Sequence, residues 1–395
     1  MQITPFHISI GADEQGGFVL YAFTASQNIA IPIDIPEYLI QSGVRLLQPT
    51  HIELLGDATE LGRELGAVIF PEIIRDMLIA QARTAQNNNG RLQIQIQIAV
   101  PELAALPWEW AVIDGTRQWA PAINDDYAVV RLSSINEPAP PILVDGPLRV
   151  LMLVPPDQTP QFSMIHTMLQ SEISARRMSV SIIEVHTLAD IEQALSQRIY
   201  HVVHFVGDVF LNADHLIRIA FGSEIDVFEL NDLLVQFPDI GLICVTMAAS
   251  GEPQIRAMPQ IFAALLMSKT INAAITFSGI SRPDTIVRFA ATCYNAIIEG
   301  VPLDLAVTRG RRALTSGRRD VNWGLAQLRI VPGTERLFIF DMPHDPWSWV
   351  RATLAVIGIA AAIIGAILLG RLLSGQSVLM PYLPTITQPT STPQP

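Results

Sequence analysis

Four short, nearly continuous apolar runs constrain this chain most: Val150–Val154, Val202–Val206, Leu242–Val245 and Ala273–Phe277. Runs of that length with no polar alternation belong to strands buried on both faces. Helical stretches at about 163–177, 189–198, 229–236 and 258–269 separate or follow them. Two more helices follow, Asp284–Glu299 and Leu303–Ser316. Strands alternating with helices predict an α/β fold, a mostly parallel sheet flanked by helices. Function in such a sheet sits at the carboxyl ends of the strands. The informative residues are therefore those just after Val206 and Val245.

The N-terminal part has a different pattern and predicts an α+β subdomain. Phe6–Ile10 and Phe18–Phe23 read as strands around a turn holding Gly11, Gly16 and Gly17. Phe70-Pro71 opens a helix whose apolar face holds Ile73, Ile74, Met77 and Leu78, and residues 87–90 end it. The alternation from Leu92 to Ile98 predicts a strand with one face buried and one face wet. Proline-rich residues 136–147 read as a linker. The domain reading is thus 1–135 for the N-terminal α+β subdomain, 136–147 for the linker and 148–340 for the core.

Residues Ala352–Gly370 carry no charge and are bracketed by Arg351 and Arg371. As a helix they would be about 28 Å long, close to the thickness of a bilayer's hydrocarbon core. Trp347 and Trp349 stand where an interfacial aromatic belt would be. The expectation is one C-terminal transmembrane helix within 350–371, followed by a disordered polar tail at 372–395. A short uncharged tail crosses a membrane more easily than a folded domain without a signal. Residues 1–350 are therefore expected in the cytoplasm, and the protein at a membrane as a single-pass, tail-anchored chain.

Apolar residues make up 50% of the chain and charged residues 16%, a balance that supports a packed core. The net charge of −12 argues against nucleic acid as a partner. Basic charge is almost all arginine, Lys269 being the sole lysine. The two cysteines, Cys244 and Cys293, form no CxxC pair and suit a reducing compartment. No glycine-rich phosphate loop is present. His201, His204 and His215 fall on different elements, so neither a cofactor nor a metal is expected.

Several pieces of the chain occur in the order and spacing of the CHAT family, the caspase-like domains often found beside TPR repeats. They are Leu61-Gly62 through Phe70-Pro71, Leu106-Pro107-Trp108-Glu109, Val129-Val130-Arg131 and Pro147–Leu151. His204–Gly207, Thr292-Cys293-Tyr294 through Gly300, Ala306-Val307 with Arg309, and Asn322-Trp323-Gly324 complete the set. The chain resembles that family over roughly residues 1–335. The resemblance implies a caspase-like sheet and, in active members, peptide hydrolysis by a Cys–His dyad. With the tail anchor and the arginine bias it suits a bacterial protein.

The resemblance also marks where the chemistry fails. The family's histidine position falls on Asp208, after Gly207, and its cysteine position falls on Ala248. Alanine is no nucleophile, and a carboxylate of pKa about 4 is a weak base at neutral pH. The degenerate pair implies a pseudo-protease that binds or scaffolds a protein or peptide partner. His204, Gly207, Asp208, Ala248, Ser250 and Glu252 would line the former cleft. Asp208 and Glu252 read either as solvated carboxylates or as an acidic seat for a basic peptide.

Other readings compete. A caspase-like cysteine peptidase with a displaced nucleophile would need Cys244 or Cys293. Cys244 falls inside a strand and Cys293 on an apolar helix face, and both read as buried. Ser250 or Thr246 beside Asp208 would lack a second group to orient the pair. His204 reads as a satisfied structural histidine, and Trp108 and Trp110 as core. Arg309, Arg311, Arg312, Arg318 and Arg319 read as an exposed basic face or as a contact for anionic lipid. A third reading makes the domain an oligomerising structural module.

Overall fold

The computed structural model describes residues 2–40, 55–114, 119–135, 137–156, 158–247, 258–267, 270–280, 282–315, 322–334 and 336–340. Ala248, Ser250, Glu252, Arg318, Arg319 and residues 341–395 lie outside them. Among the described residues no helix is long and apolar enough to cross a membrane.

Strands β1 (Ile3–Ala12), β2 (Phe18–Phe23) and β3 (Asn28–Ile33) form an antiparallel meander. Helices α1 (Leu55–Ile69) and α2 (Glu72–Asn87) lead to β4 (Arg91–Ile98) and β5 (Tyr127–Leu132). A short β6 (Ile142–Val144), within the expected linker, precedes β7 (Leu148–Val154) and β8 (Met178–Glu184). Then come α3 (Leu188–Gln197), β9 (Val202–Val206) and a three-stranded antiparallel flap of β10 (Asp208–Leu211), β11 (Ile217–Ala220) and β12 (Glu224–Asp226). Helix α4 (Val227–Leu234), β13 (Leu242–Met247), α5 (Met258–Leu266), β14 (Ala273–Ile280), α6 (Pro283–Ile298) and α7 (Leu303–Thr315) follow. Strands β15 (Ala326–Ile330) and β16 (Phe338–Phe340) come last, β16 pairing with β6.

Eleven strands make one sheet in the order β3-β2-β1-β4-β5-β15-β14-β13-β9-β7-β8. The four expected core strands appear as parallel neighbours, and helices cover both faces. Leu61, Ile74, Ile286 and Val307 pack on one face, and Ile191, Leu230 and Phe262 on the other. Strand β15 runs parallel to β5 but antiparallel to β14. Beyond the edge strands β2 and β3, the sheet therefore holds two parallel blocks that point in opposite directions, β1-β4-β5-β15 and β14-β13-β9-β7-β8, joined at β14–β15.

Two sequence expectations change. The glutamine face of β4 is wet only at Gln97. Gln93 and Gln95 are buried, because Asp304 at the start of α7 caps that face. Arg91 Nη2 forms a buried ion pair with Asp304, Gln93 Nε2 donates to Asp304 Oδ2 at 2.6 Å, and Gln95 Nε2 donates to Gln93 Oε1 at 2.6 Å. The helix expected at 163–177 is three short turns, 159–162, 164–168 and 170–174. Phe162, Ile165 and Leu169 still face the core, so the apolar spacing holds although the axis breaks.

Four of the stretches that carry the family resemblance, 61–71, 106–109, 129–131 and 322–324, meet in one buried knot. Arg131 on β5 donates through Nε to Glu109 Oε1 at 2.9 Å and through Nη2 to Glu109 Oε2 at 2.8 Å. Its Nη2 also reaches Leu106 O at 2.8 Å, and its Nη1 reaches Gln260 Oε1 on α5 at 3.1 Å. Trp108 Nε1 donates to Leu103 O at 2.7 Å. Gly324 lies flat against the Trp110 indole, where any Cβ would collide with the ring. Gly66 on α1 meets the Val112 carbonyl in the same way. Trp108 and Trp110 are core residues, as expected.

Replacing Glu109 with Gln leaves the Arg131 cation buried without a counter-charge. Loss of one partner of a buried pair costs about 3–5 kcal/mol. Urea denaturation should show that loss, whereas Arg75→Gln, whose partner Glu72 is exposed, should change stability by less than about 1 kcal/mol.

Candidate functional site

In the second block the strand order reverses beside β7: the chain moves outward to β8, then returns to β9 and β13. In open α/β sheets the crevice at such a reversal, beyond the carboxyl ends of the strands, is where ligands sit. Strand β7 ends there at Val154 and β9 at Val206. Gly207 follows, its N–H donating to Thr246 O of β13 at 3.0 Å. Asp208 then opens β10 and is partly exposed, in register with Ala220 of β11. Gly207 and Asp208 thus stand at the reversal itself.

His204 lies one layer deeper. It is mid-strand on β9, directly opposite Cys244 of β13. Both point to the face covered by α6, which brings Tyr294 over them. His204 Nδ1 lies 3.1 Å from Tyr294 Oη and Nε2 lies 3.1 Å from Thr246 Oγ1. Tyr294 Oη donates to Cys244 Sγ at 3.5 Å. One assignment satisfies these three: Thr246 turns its single hydroxyl proton to Nε2 at 3.1 Å rather than to the more distant Phe205 O at 3.4 Å, and a neutral imidazole donates from Nδ1–H to the tyrosine oxygen. The tyrosine proton is then left for the sulfur.

This quartet has the ingredients of a catalytic site without its electrostatics. Burial pushes the Cys244 thiol up to about 12, only partly opposed by the hydrogen bond from Tyr294. Burial likewise pushes His204 down to about 3. A thiol that stays protonated and an imidazole that stays neutral form no thiolate–imidazolium pair. Cys293 on α6 is buried, and its thiol is raised by burial and by Cys244. Both histidine nitrogens and the tyrosine proton are spent inside the core, as the structural reading of His204 expects.

The basic stretch needs one correction. Arg311 is fully buried rather than part of an exposed face. Its Nε donates to Ala326 O at 2.9 Å and its Nη1 to Val129 O at 3.1 Å, tying α7 to β15 and β5. Helical spacing places it with Val307, Thr308 and Leu314 on the inward side of α7. Arg309 faces outward beside Glu299 at 3.4 Å, and Arg312 pairs with Asp125. His201 is buried, accepting at Nδ1 from Arg149 N–H at 3.0 Å. His215 sits in the turn of the flap with φ 59°.

No family model matches the chain, and no curated protein matches it. Among solved structures, a chain of the Saccharomyces cerevisiae separase–securin complex determined at 3.0 Å is similar, with a TM-score of 0.51 and 10% identity. The match covers 83% of this chain and 30% of that one. The fold is caspase-like. A second structure of the same complex, at 2.6 Å, superposes with a TM-score of 0.41 at 10% identity over 85% of this chain and 30% of that chain. The present chain thus spans about a third of the length of the separase-complex chains it matches. At this identity the likeness concerns the sheet and its helices, that is, the fold alone.

Two measurements test the buried quartet. Iodoacetamide at pH 8 should label neither cysteine in the folded protein and both after denaturation; rapid native labelling of Cys244 would contradict its raised thiol. The pH dependence follows from the histidines. His201 is pushed down to about 4, by burial and then by Arg149, and His204 to about 3, both from 6.5. A depressed folded value means that the unfolded chain binds protons first as pH falls. Their contribution is therefore complete above about pH 6.5 and is lost as pH drops toward 4 and 3, by up to about 1.4 kcal/mol per pH unit for each histidine. Urea midpoints measured from pH 7.5 to 5 should fall with that slope, and His204→Gln should remove one histidine's share of it.

Proposed function

We propose that this chain is a CHAT-type caspase-like domain that has lost peptidase chemistry and serves as a protein-binding module. One observation carries the reading: Asp208 stands at the carboxyl end of β9, at the strand-order reversal, where the resemblance calls for the catalytic histidine. A carboxylate there is a weak base but a good acceptor for the cationic side chain of a peptide. The binding reading therefore favours a basic partner segment; Ala248, Ser250 and Glu252, the other residues expected at the cleft, lie outside the described residues. The burial of Cys244 and His204 adds support, since neither could replace the missing dyad.

The membrane enters as part of the same proposal. Residues 352–370 would hold the domain at a bilayer, with residues 1–350 on the cytoplasmic side. Arg309, Arg312, Arg318 and Arg319 would face anionic headgroups, with Arg311 withdrawn from that set. The competing reading, an active peptidase with Cys244 as displaced nucleophile, would require β13 to open, because the sulfur is closed in by Tyr294.

The test uses the full-length chain in detergent with a mixed peptide library. The natural protein should give no turnover with or without iodoacetamide. The double variant Asp208→His, Ala248→Cys should gain measurable, alkylator-sensitive cleavage. Cleavage by the natural protein that disappears in Cys244→Ser would overturn the pseudo-protease reading in favour of the displaced nucleophile.

A further inference from the structure

The first block of the sheet has its own carboxyl rim, on the opposite side from Asp208. Strand β4 ends there at Ile98, β5 at Leu132 and β15 at Ile330, the last lying beside Ala273, where β14 begins. A cleft of about 240 Å³ opens at this rim. Ile96, Ile98 and Leu132 give it apolar walls, and Gln97, Ser134 and Arg329 give it polar ones.

The charge around this cleft is unbalanced. Arg329 and Arg131 are register partners on β15 and β5, so both guanidinium groups leave the sheet on the same face. Like charges directly opposite each other on neighbouring strands oppose pairing. Arg131 is fully committed to Glu109, Gln260 and main-chain carbonyls. Arg329 spends Nη1 on Leu132 O at 3.0 Å. Among the described residues it has no carboxylate within ion-pair distance, and neither has Arg311. Glu109 is thus the one carboxylate that all three cations feel. Arg329 is pushed down to about 10 by burial and then by Arg131, with Glu109 opposing.

We propose that this cleft binds a small oxyanion, the phosphoryl or carboxylate group of a small ligand, with Arg329 as its charged contact and Ser134 and Gln97 as neutral donors at its mouth. The guanidinium keeps its Nε and Nη2 edge for a two-point contact, the geometry that suits both kinds of group. The anion supplies the negative charge that the Arg131–Arg329 pairing lacks, so binding stabilises the junction between β5 and β15. The size of the cleft admits a phosphate or a compact organic acid. The site lies across the sheet from the strand-order reversal and is independent of the peptide-binding proposal.

The experiment uses the full-length chain in detergent, titrated with inorganic phosphate, pyrophosphate or citrate against sodium chloride at matched ionic strength. Thermal unfolding and calorimetry provide the readouts. A saturable rise in Tm with an oxyanion but not with chloride is expected. Stronger response to the phosphates identifies a phosphoryl ligand, and stronger response to citrate a carboxylate. Arg329→Gln should weaken binding at least about tenfold, the loss expected for a charge-assisted contact. Arg75→Gln, at an arginine of α2 paired with Glu72 and away from the cleft, should bind as the natural chain does. Ala99→Leu, which fills the cleft and keeps every arginine, should also abolish binding, and it decides the matter if Arg329→Gln fails to fold. No saturable shift in the natural chain, or equal shifts in the natural chain and Ala99→Leu, overturns the proposal.

Discussion

A single buried ion pair, Glu109 with Arg131, organises this protein. Charges removed from water are tolerable only when every donor finds an acceptor. Arg131 meets that demand with a carboxylate from the 3-10 turn at 108–110, carbonyls from the segment before it and an amide from α5. Satisfying one side chain therefore fixes four parts of the chain relative to one another. The indole of Trp110 against Gly324 adds the segment that precedes β15. Leu106, Glu109, Arg131 and Gly324, spread along the sequence signature, all belong to this one knot, and none of these four lies at the strand-order reversal.

The parallel core was legible because buried strands leave continuous apolar runs, and all four runs became neighbours in one sheet. The meander of β1 and β2 was legible from its glycine turn. The polar residues whose burial escaped notice share a physical cause: their partners lie far along the chain. The glutamines of β4 alternate as a wet face would, and Asp304, more than two hundred residues later, covers Gln93 and Gln95 while Gln97 stays exposed. Arg311 sits in a run of arginines that reads as surface, although its helical spacing from Val307 and Leu314 could have placed it inward. The small strands β6 and β16 were missed because three residues carry no period.

The candidate site was legible as a position but not as an environment. Spacing located Gly207 and Asp208 after β9, and the structure puts them at the reversal of strand order. Spacing could not tell that His204, Thr246, Cys244 and Tyr294 close into a hydrogen-bonded quartet beneath it. Burial decides the chemistry of that quartet. The same residue types at a wet strand end could exchange protons near neutrality, whereas here each is held in its uncharged form. The fold sets where these side chains stand along their strands, and the depth at which they lie determines which of them can titrate.

Strand β15 has a consequence for how the chain must be made. It lies between β5 and β14, yet it is synthesised almost two hundred residues after β5. Until residues 326–330 emerge, β5 keeps an unpaired edge and β14 another, each able to recruit a foreign strand. The first block cannot finish its sheet while the second is still being translated, so the two blocks mature together rather than in turn. Late, long-range closure of this kind is slow and exposes apolar surface on the way. Truncated products ending before β15 would be the aggregation-prone species, and the nascent chain would be most dependent on chaperones just before its eleventh strand slides home.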